Sequence, residues 1–176
     1  MPRTPPLWQR RFFLVNCLAL RRLLASVRSG VVKTFRCTPR MLNTHLRLSP
    51  FETDVVAALL TGDPLQPLRV QLPLARVAER ETTGSGLFVT FSVDPGIACS
   101  VTSLTLSDLH IEMVGMTHGA GAILYVADGL LHMLECVTNG HEAWPTMPAY
   151  HSLQYLQSSG LPSTTRDPSY LASILG

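Results

Sequence analysis

The stretch GAILYVADGLLHMLECV, residues 121–137, decides the fold because it contains two apolar runs joined by Asp128-Gly129. Asp-Gly is a favoured pair for a two-residue type I′ turn, so the sequence predicts a β-hairpin. A register counted from this turn places Cys136 on one face of the hairpin and Glu135 on the other. Both faces are largely apolar, and we therefore expect the hairpin to be central in its sheet and covered on both sides.

Alternating apolar and polar residues around the hairpin predict further strands. Residues 76–93 fit two strands around a glycine-containing turn. Residues 103–113 also alternate, with a change of parity near Asp108 that indicates a β-bulge. Residues 149–157 predict the last strand.

A second tight turn is predicted at Asn139-Gly140. It would return the chain as a short edge strand in which Trp144 lies opposite Glu135. This pair has two interpretations, packing at the sheet edge or the rim of a partner-binding surface.

The segment LSPFETDVVAALLTGDP, residues 48–64, predicts a helix over residues 50–61. Ser49 and Glu52 have the spacing of a capping box, and proline occupies the first helical position. A short second helix is predicted over residues 67–72, between two prolines.

These patterns together predict an α+β fold, with one or two N-terminal helices packed on a mainly antiparallel meander sheet of five to six strands. The domain is expected to span residues 41–157. Residues 158–176 are expected to form a flexible C-terminal tail with a short helix.

The charge of the chain is divided unevenly. Residues 1–40 contain eight Arg, one Lys and no acid, whereas residues 41–176 contain five Arg and twelve Asp or Glu. The average field of the second part repels a polyanion, so we expect no nucleic-acid binding by residues 41–176.

The basic N-terminal extension, residues 1–40, has three interpretations. The motif RRFFL resembles a twin-arginine export signal, but Asn16 and Arg21 interrupt the apolar run that a signal peptide requires. The same run is too short for a transmembrane segment. We favour Met41 as the native start, with residues 1–40 disordered or not part of the protein. The alternatives are a targeting or membrane-surface helix and a nucleic-acid-binding arm.

The cysteines do not indicate a structural site. The four of them show no Cys-x-x-Cys spacing and are too sparse for a disulfide framework. Reduced thiols in a cytoplasmic protein are the expectation, and export or membrane association through residues 1–40 is the alternative.

The loop His118-Gly119-Ala120-Gly121 resembles the oxyanion loop of some esterases. That interpretation needs a Gly-x-Ser-x-Gly nucleophile, which the sequence lacks. The interpretation we favour is that the glycines let a neighbouring side chain approach the sheet closely.

Metal binding and thiol catalysis are the remaining chemical alternatives. In the predicted register His132 and Cys136 share a face, so Cys136 could act as a thiolate beside a histidine. Neither a paired-cysteine spacing nor a helical His-x-x-x-His supports a metal, and we expect no cofactor. The candidate metal ligands are His110, His118, His132, His141, Glu112, Glu135 and Cys136.

Two stretches, residues 80–93 (RE-x-TG-x-G-x-FV-x-F-x-V) and residues 118–135 (HGAG-x2-L-x-V-x-DG-x-L-x2-LE), resemble a family of small bacterial proteins of unknown function. The likeness covers residues 46–155 and excludes residues 1–40. Leu87 and Ala122 stand where the family more often has Phe. The resemblance implies no activity, cofactor or site.

The sequence therefore predicts a non-enzymatic binding or interaction protein of bacterial type, of which a toxin-neutralising immunity-like protein is one form. Its acidic body suits a basic protein partner. The alternative is a small hydrolase or metal-dependent enzyme with a site near His118 and Cys136. The oligomeric state, the partner and the ligand are left open.

Overall fold

Seven antiparallel strands form the sheet, in an order that differs from their order along the chain. The computed structural model describes residues 46–175, and the hypotheses on residues 1–40 and on Met41 concern residues outside that range. The strands are β1 (Arg76–Thr83), β2 (Gly86–Ser92), β3 (Ser103–Met113), β4 (Ala120–Ala127), β5 (Leu130–Thr138), β6 (Tyr150–Leu156) and β7 (Pro162–Ser163).

The strands lie in the order β1-β2-β5-β4-β3-β6-β7. The expected α+β class and antiparallel pairing are confirmed, whereas the expected meander of five to six strands is wrong. Turn residues specify only pairs that are adjacent in sequence, such as β4 with β5. The β2–β5 and β3–β6 pairs join distant segments, and β7 is too short to produce an alternating pattern.

In the described part of the chain three helices accompany the sheet: α1 (Pro50–Leu59), α2 (Gln66–Arg69) and α3 (Pro168–Leu175). Helix α1 begins with the predicted capping box, in which the Ser49 N–H donates to Glu52 Oε2 at 2.7 Å and Ser49 Oγ accepts from the Glu52 N–H at 3.2 Å. Helix α2 is shorter than predicted because a 3₁₀ turn, Leu72–Leu74, follows it. No helix among residues 46–175 is long and apolar enough to cross a bilayer.

The β4–β5 hairpin turns at Asp128-Gly129 as predicted. Both residues have positive φ, 52° and 76°, as a type I′ turn requires. Val126 lies opposite Leu131, but the next pair joins Tyr125 to Met133, so His132 is an extra residue in β5. The predicted register is therefore wrong beyond His132, because a bulge of one residue exchanges the faces of all later side chains.

The bulge gives the two faces of the sheet different neighbours. On the first face, Leu124, Leu134 and Cys136 belong to one buried core with helix α1. The residues of the other face, called the second face below, lie outside that cluster, although two of them, Ile123 (5 % exposed) and Glu135 (8 % exposed), are buried. Its central side chains are Phe88, Ile123, Tyr125, Met133, Glu135 and Val137.

A second bulge, in β3, was predicted from the change of parity and is confirmed between Leu106 and Leu109. It turns Asp108 into the core, where Arg166 donates to it from Nε at 2.7 Å and from Nη2 at 3.0 Å. Burial raises the pKa of Asp108, and the guanidinium of Arg166 opposes that rise. Arg166 also donates to the carbonyls of Leu59 and Thr61, so it ties the segment before α3 to the end of α1.

Gln71 joins the helical segment to the β4–β5 turn. Its side chain is fully buried; Nε2 donates to the carbonyls of Gly129 at 2.8 Å and Ile97 at 3.2 Å, and Oε1 accepts from the Leu131 N–H at 3.0 Å. One amide thus binds three backbone groups, of which the Gly129 carbonyl also accepts from the Cys99 N–H at 3.0 Å. The turn is held in place by this side chain.

We expect Gln71→Leu to lower the free energy of unfolding by about 2–4 kcal/mol, because it leaves buried backbone groups without partners. Urea denaturation followed by circular dichroism measures the change. Gln66→Leu, an exposed position in the same segment, is the matched control and should change stability by less than about 0.5 kcal/mol. Equal losses in the two variants would contradict this role of Gln71.

Candidate functional site

The second face carries an apolar patch around one carboxylate. Glu135 on β5 is paired directly with Phe88 on β2 and with Ile123 on β4, and Met133 and Val137 are its neighbours on the same face of β5. Phe88, Ile123, Met133 and Val137 therefore surround the carboxylate along and across the strands.

Glu135 is only 8 % exposed. The Tyr125 hydroxyl donates to its Oε2 at 3.0 Å. Burial raises the pKa of Glu135, and the hydrogen bond from Tyr125 acts against that rise. The second face thus contains an ionisable acid in an apolar setting, where an opposite charge is attracted more strongly than in water.

The charges of the second face are mostly negative. Glu79 and Glu81 lie on β1 and Glu112 on β3, in the registers that place them on the side of Glu135. Arg76 also lies on this side, but its Nη1 donates to the carbonyls of the 3₁₀ turn, including Ala75 at 3.0 Å. The guanidinium is therefore turned towards the backbone that precedes β1.

Cys136 and Glu135 lie on opposite faces of the sheet. It is fully buried on the side of α1, opposite Ala122. Burial raises the pKa of the Cys136 thiol strongly, and Glu52 and Glu135 raise it further. A thiol in that environment is held as the neutral acid and is enclosed by the core, which opposes its use as a nucleophile.

His132 is the bulged residue of β5 and is exposed, so the predicted sharing of one face by His132 and Cys136 is wrong. It borders a shallow groove of about 400 Å³ that Asp128, Phe91 and Ser92 also line. His118, Glu135 and Cys136 do not line this groove.

Trp144 lies on the opposite side of the sheet from Glu135, and the predicted cross-strand pair is wrong. The residues after Asn139 form a loop rather than an edge strand, and in this loop the Trp144 N–H donates to the Gly84 carbonyl at 3.0 Å. The Trp144 ring is 8 % exposed and meets Phe51 of α1 edge to face, with the centroids 6.1 Å apart. Trp144 is thus part of the core.

The loop containing His118 binds an anion that the chain itself supplies. The N–H groups of Thr117 and His118 donate to the two carboxylate oxygens of Glu142, at 2.8 and 3.1 Å. These hydrogen bonds lower the pKa of Glu142. Of the candidate oxyanion loop, the His118 N–H is therefore used, together with the Thr117 N–H before it, to hold two loops together.

The glycine at 119 is needed for close packing, as the favoured interpretation predicts. Its φ is +61°, and a Cβ there would lie 2.2 Å from the Ile111 carbonyl oxygen and within 3.3 Å of the His110 ring. Gly121 is the cross-strand partner of His110. Any larger residue at 119 would push β3 away from the loop.

His110 is half-buried beside this loop. Asn139 Nδ2 approaches His110 Nδ1 at 3.2 Å and donates to the His118 carbonyl at 3.2 Å. Since an amide N–H only donates, Nδ1 acts as the acceptor and the neutral ring carries its proton on Nε2. Burial lowers the pKa of His110, while Glu112 acts in the opposite direction.

The candidate ligands do not form a metal cluster. Within residues 46–175, no three His, Cys, Asp or Glu side chains come together in a way that could hold a metal ion. Sequence reasoning missed the roles of Glu142, Asn139 and Tyr125. Only tertiary contacts reveal them.

Comparison with known proteins adds no relative: no family model matches the chain, and no curated protein or solved structure is significantly similar to it. The resemblance to small bacterial proteins stays a prediction. Function must be argued from the geometry.

We expect Glu142→Gln to increase hydrogen exchange at the Thr117 and His118 amides by about tenfold or more, because a neutral amide is a weaker acceptor than a carboxylate. Exchange measured by NMR on the full chain gives the rates. Glu81→Gln, which removes an exposed charge from β1, is the control and should leave both amides unchanged. Unchanged protection in Glu142→Gln would refute the proposed clamp.

The contribution of His110 to stability should depend on pH. Because its pKa in the folded state is lowered, protonation is harder in the folded than in the unfolded chain. The stability that the neutral ring supplies is fully present above the ordinary histidine pKa of about 6.5. It is lost as the pH falls from that value through the lower pKa of His110 in the folded chain. We expect the stability difference between the wild type and His110→Gln to shrink between pH 7.5 and 5. A difference that stays constant in denaturation series would argue against this assignment.

Proposed function

We propose that this protein is a non-enzymatic binding module that recognises a basic amphipathic helix of another protein through the second face of its sheet. The observation that carries the proposal is the apolar patch around Glu135, which lies outside the core built by α1 and α3. An apolar sheet face is stable when a further layer packs on it. The described helices supply such a layer only to the first face.

The chemistry of the partner follows from charge. The exposed carboxylates of Glu81 and Glu112 lie on the same face as the buried Glu135, so a partner with cationic side chains is attracted and an acidic one is repelled. A second copy of this chain would bring like charges together across the interface. This opposes self-association through the second face and favours a different, basic protein.

Strand addition at the sheet edges is a less suitable way to bind. Strand β1 has a bulge between Val77 and Glu79 and charged side chains along its length, and β7 has two residues, one of them proline. Bulges, charges and proline are features that discourage pairing at an edge. The second face is therefore favoured over the edges. Neutralisation of a basic toxin, the immunity-like role, is one use of such a surface.

Photocrosslinking in native cells tests the proposal. With p-benzoylphenylalanine in place of Phe88, we expect an adduct with another protein, mapped by mass spectrometry to a basic amphipathic segment. The same group in place of Met147, which is 86 % exposed on a separate loop, should not give that adduct. Adducts confined to the chain's own residues, or equal adducts from both positions, would overturn the proposal.

A charge placed in the patch provides a second readout. We expect Val137→Glu in the Phe88-labelled chain to reduce the adduct at least about tenfold, because it buries a further carboxylate in the interface. Val70→Glu, at a valine 54 % exposed in the helical segment, should leave the adduct unchanged.

A further inference from the structure

Glu135 differs from the other acids of the second face in its surroundings. Glu81 and Glu112 are exposed to water, whereas Glu135 is 8 % exposed and lies between Phe88 and Ile123. One of its oxygens, Oε2, accepts from the Tyr125 hydroxyl. A carboxylate so placed has lost most of its water, and one hydroxyl donor replaces only part of that hydration.

We infer that Glu135 is a specificity residue that receives an arginine side chain from the apolar face of the partner helix; this rests on the proposed function. A guanidinium matches a carboxylate with two parallel N–H donors. It is also planar and weakly hydrated, so it can stack on the neighbouring ring of Phe88, which a compact ammonium ion does less well.

The chain joins its own helices to the sheet with the same pairing. Arg80 on β1 donates to Glu52 of α1 through Nε at 2.7 Å and Nη2 at 2.8 Å, and the Glu52 side chain is 2 % exposed. There the strand supplies the arginine and the helix supplies the acid. On the second face the strand supplies the acid, and the docking helix would supply the arginine.

A pair of synthetic peptides tests the inference directly. Both are 20-residue amphipathic helices with a leucine stripe; one carries a single arginine at the centre of the stripe, and the other carries citrulline, its neutral isostere. Isothermal titration of the full chain measures both affinities. We expect the arginine peptide to bind at least about tenfold more tightly than the citrulline peptide, because the arginine pairs with a desolvated carboxylate.

The variants separate this pairing from general attraction. In Glu135→Gln, whose amide oxygen can still accept from Tyr125, the preference for arginine should fall to within about twofold. Glu81→Gln removes the same charge from an exposed position on β1 and should keep the preference. A preference that survives in Glu135→Gln would overturn the inference, as would its loss in Glu81→Gln.

The outcomes also distinguish the inference from the proposed function. Equal binding of both peptides to the wild type, weakened in Val137→Glu, would overturn the role of Glu135 and leave the second face as the binding surface. Absence of binding by either peptide would count against the helix-binding function itself.

Acid titration supplies an independent readout. Because burial raises the pKa of Glu135, its carboxylate is protonated earlier than an exposed one as the pH falls. The affinity for the arginine peptide should therefore decrease on acidification, and that for the citrulline peptide should change little. Parallel pH profiles would contradict the pairing.

Discussion

The extra residue at His132 determines the surroundings of every later side chain in β5. With this bulge, Leu134 and Cys136 face α1, and Glu135 faces away. Without it the side chains would exchange faces, and the Glu135 carboxylate would enter the core of the helices at a cost of several kcal/mol. Gln71 accepts the Leu131 N–H where the strand begins to bulge. The core and the candidate surface therefore depend on the same local irregularity.

Buried polar side chains hold the helical layer to the sheet at three places. Gln71 binds the β4–β5 turn, Glu52 joins the start of α1 to Arg80, and Arg166 joins the end of α1 to Asp108. Each satisfies groups from segments that are far apart in sequence. Apolar packing supplies most of the stability of such a fold, while these directional contacts specify where each end of α1 lies.

The parts of the fold that local chemistry specifies could be predicted from sequence. The capping box of Ser49 and Glu52, the Asp128-Gly129 turn and the change of parity at Asp108 each involve residues within a few positions of one another. The β2–β5 pairing and the His132 bulge depend on tertiary contacts, so the predicted faces of β5 were wrong. The same error associated Cys136 with the candidate site. Glu135 could be chosen as a candidate from the sequence, but the apolar side chains around it could not be identified without the strand pairing.

The buried pair of Asp108 and Arg166 has a consequence for synthesis on the ribosome. Residue 108 precedes residue 166 by 58 positions, and until Arg166 is in place the carboxylate has no guanidinium to pair with. A buried carboxylate without its partner is strongly destabilising, and the carbonyls at the end of α1 also lack a donor during that interval. The fold therefore gains its full stability late in synthesis, when the segment before α3 becomes available to pack.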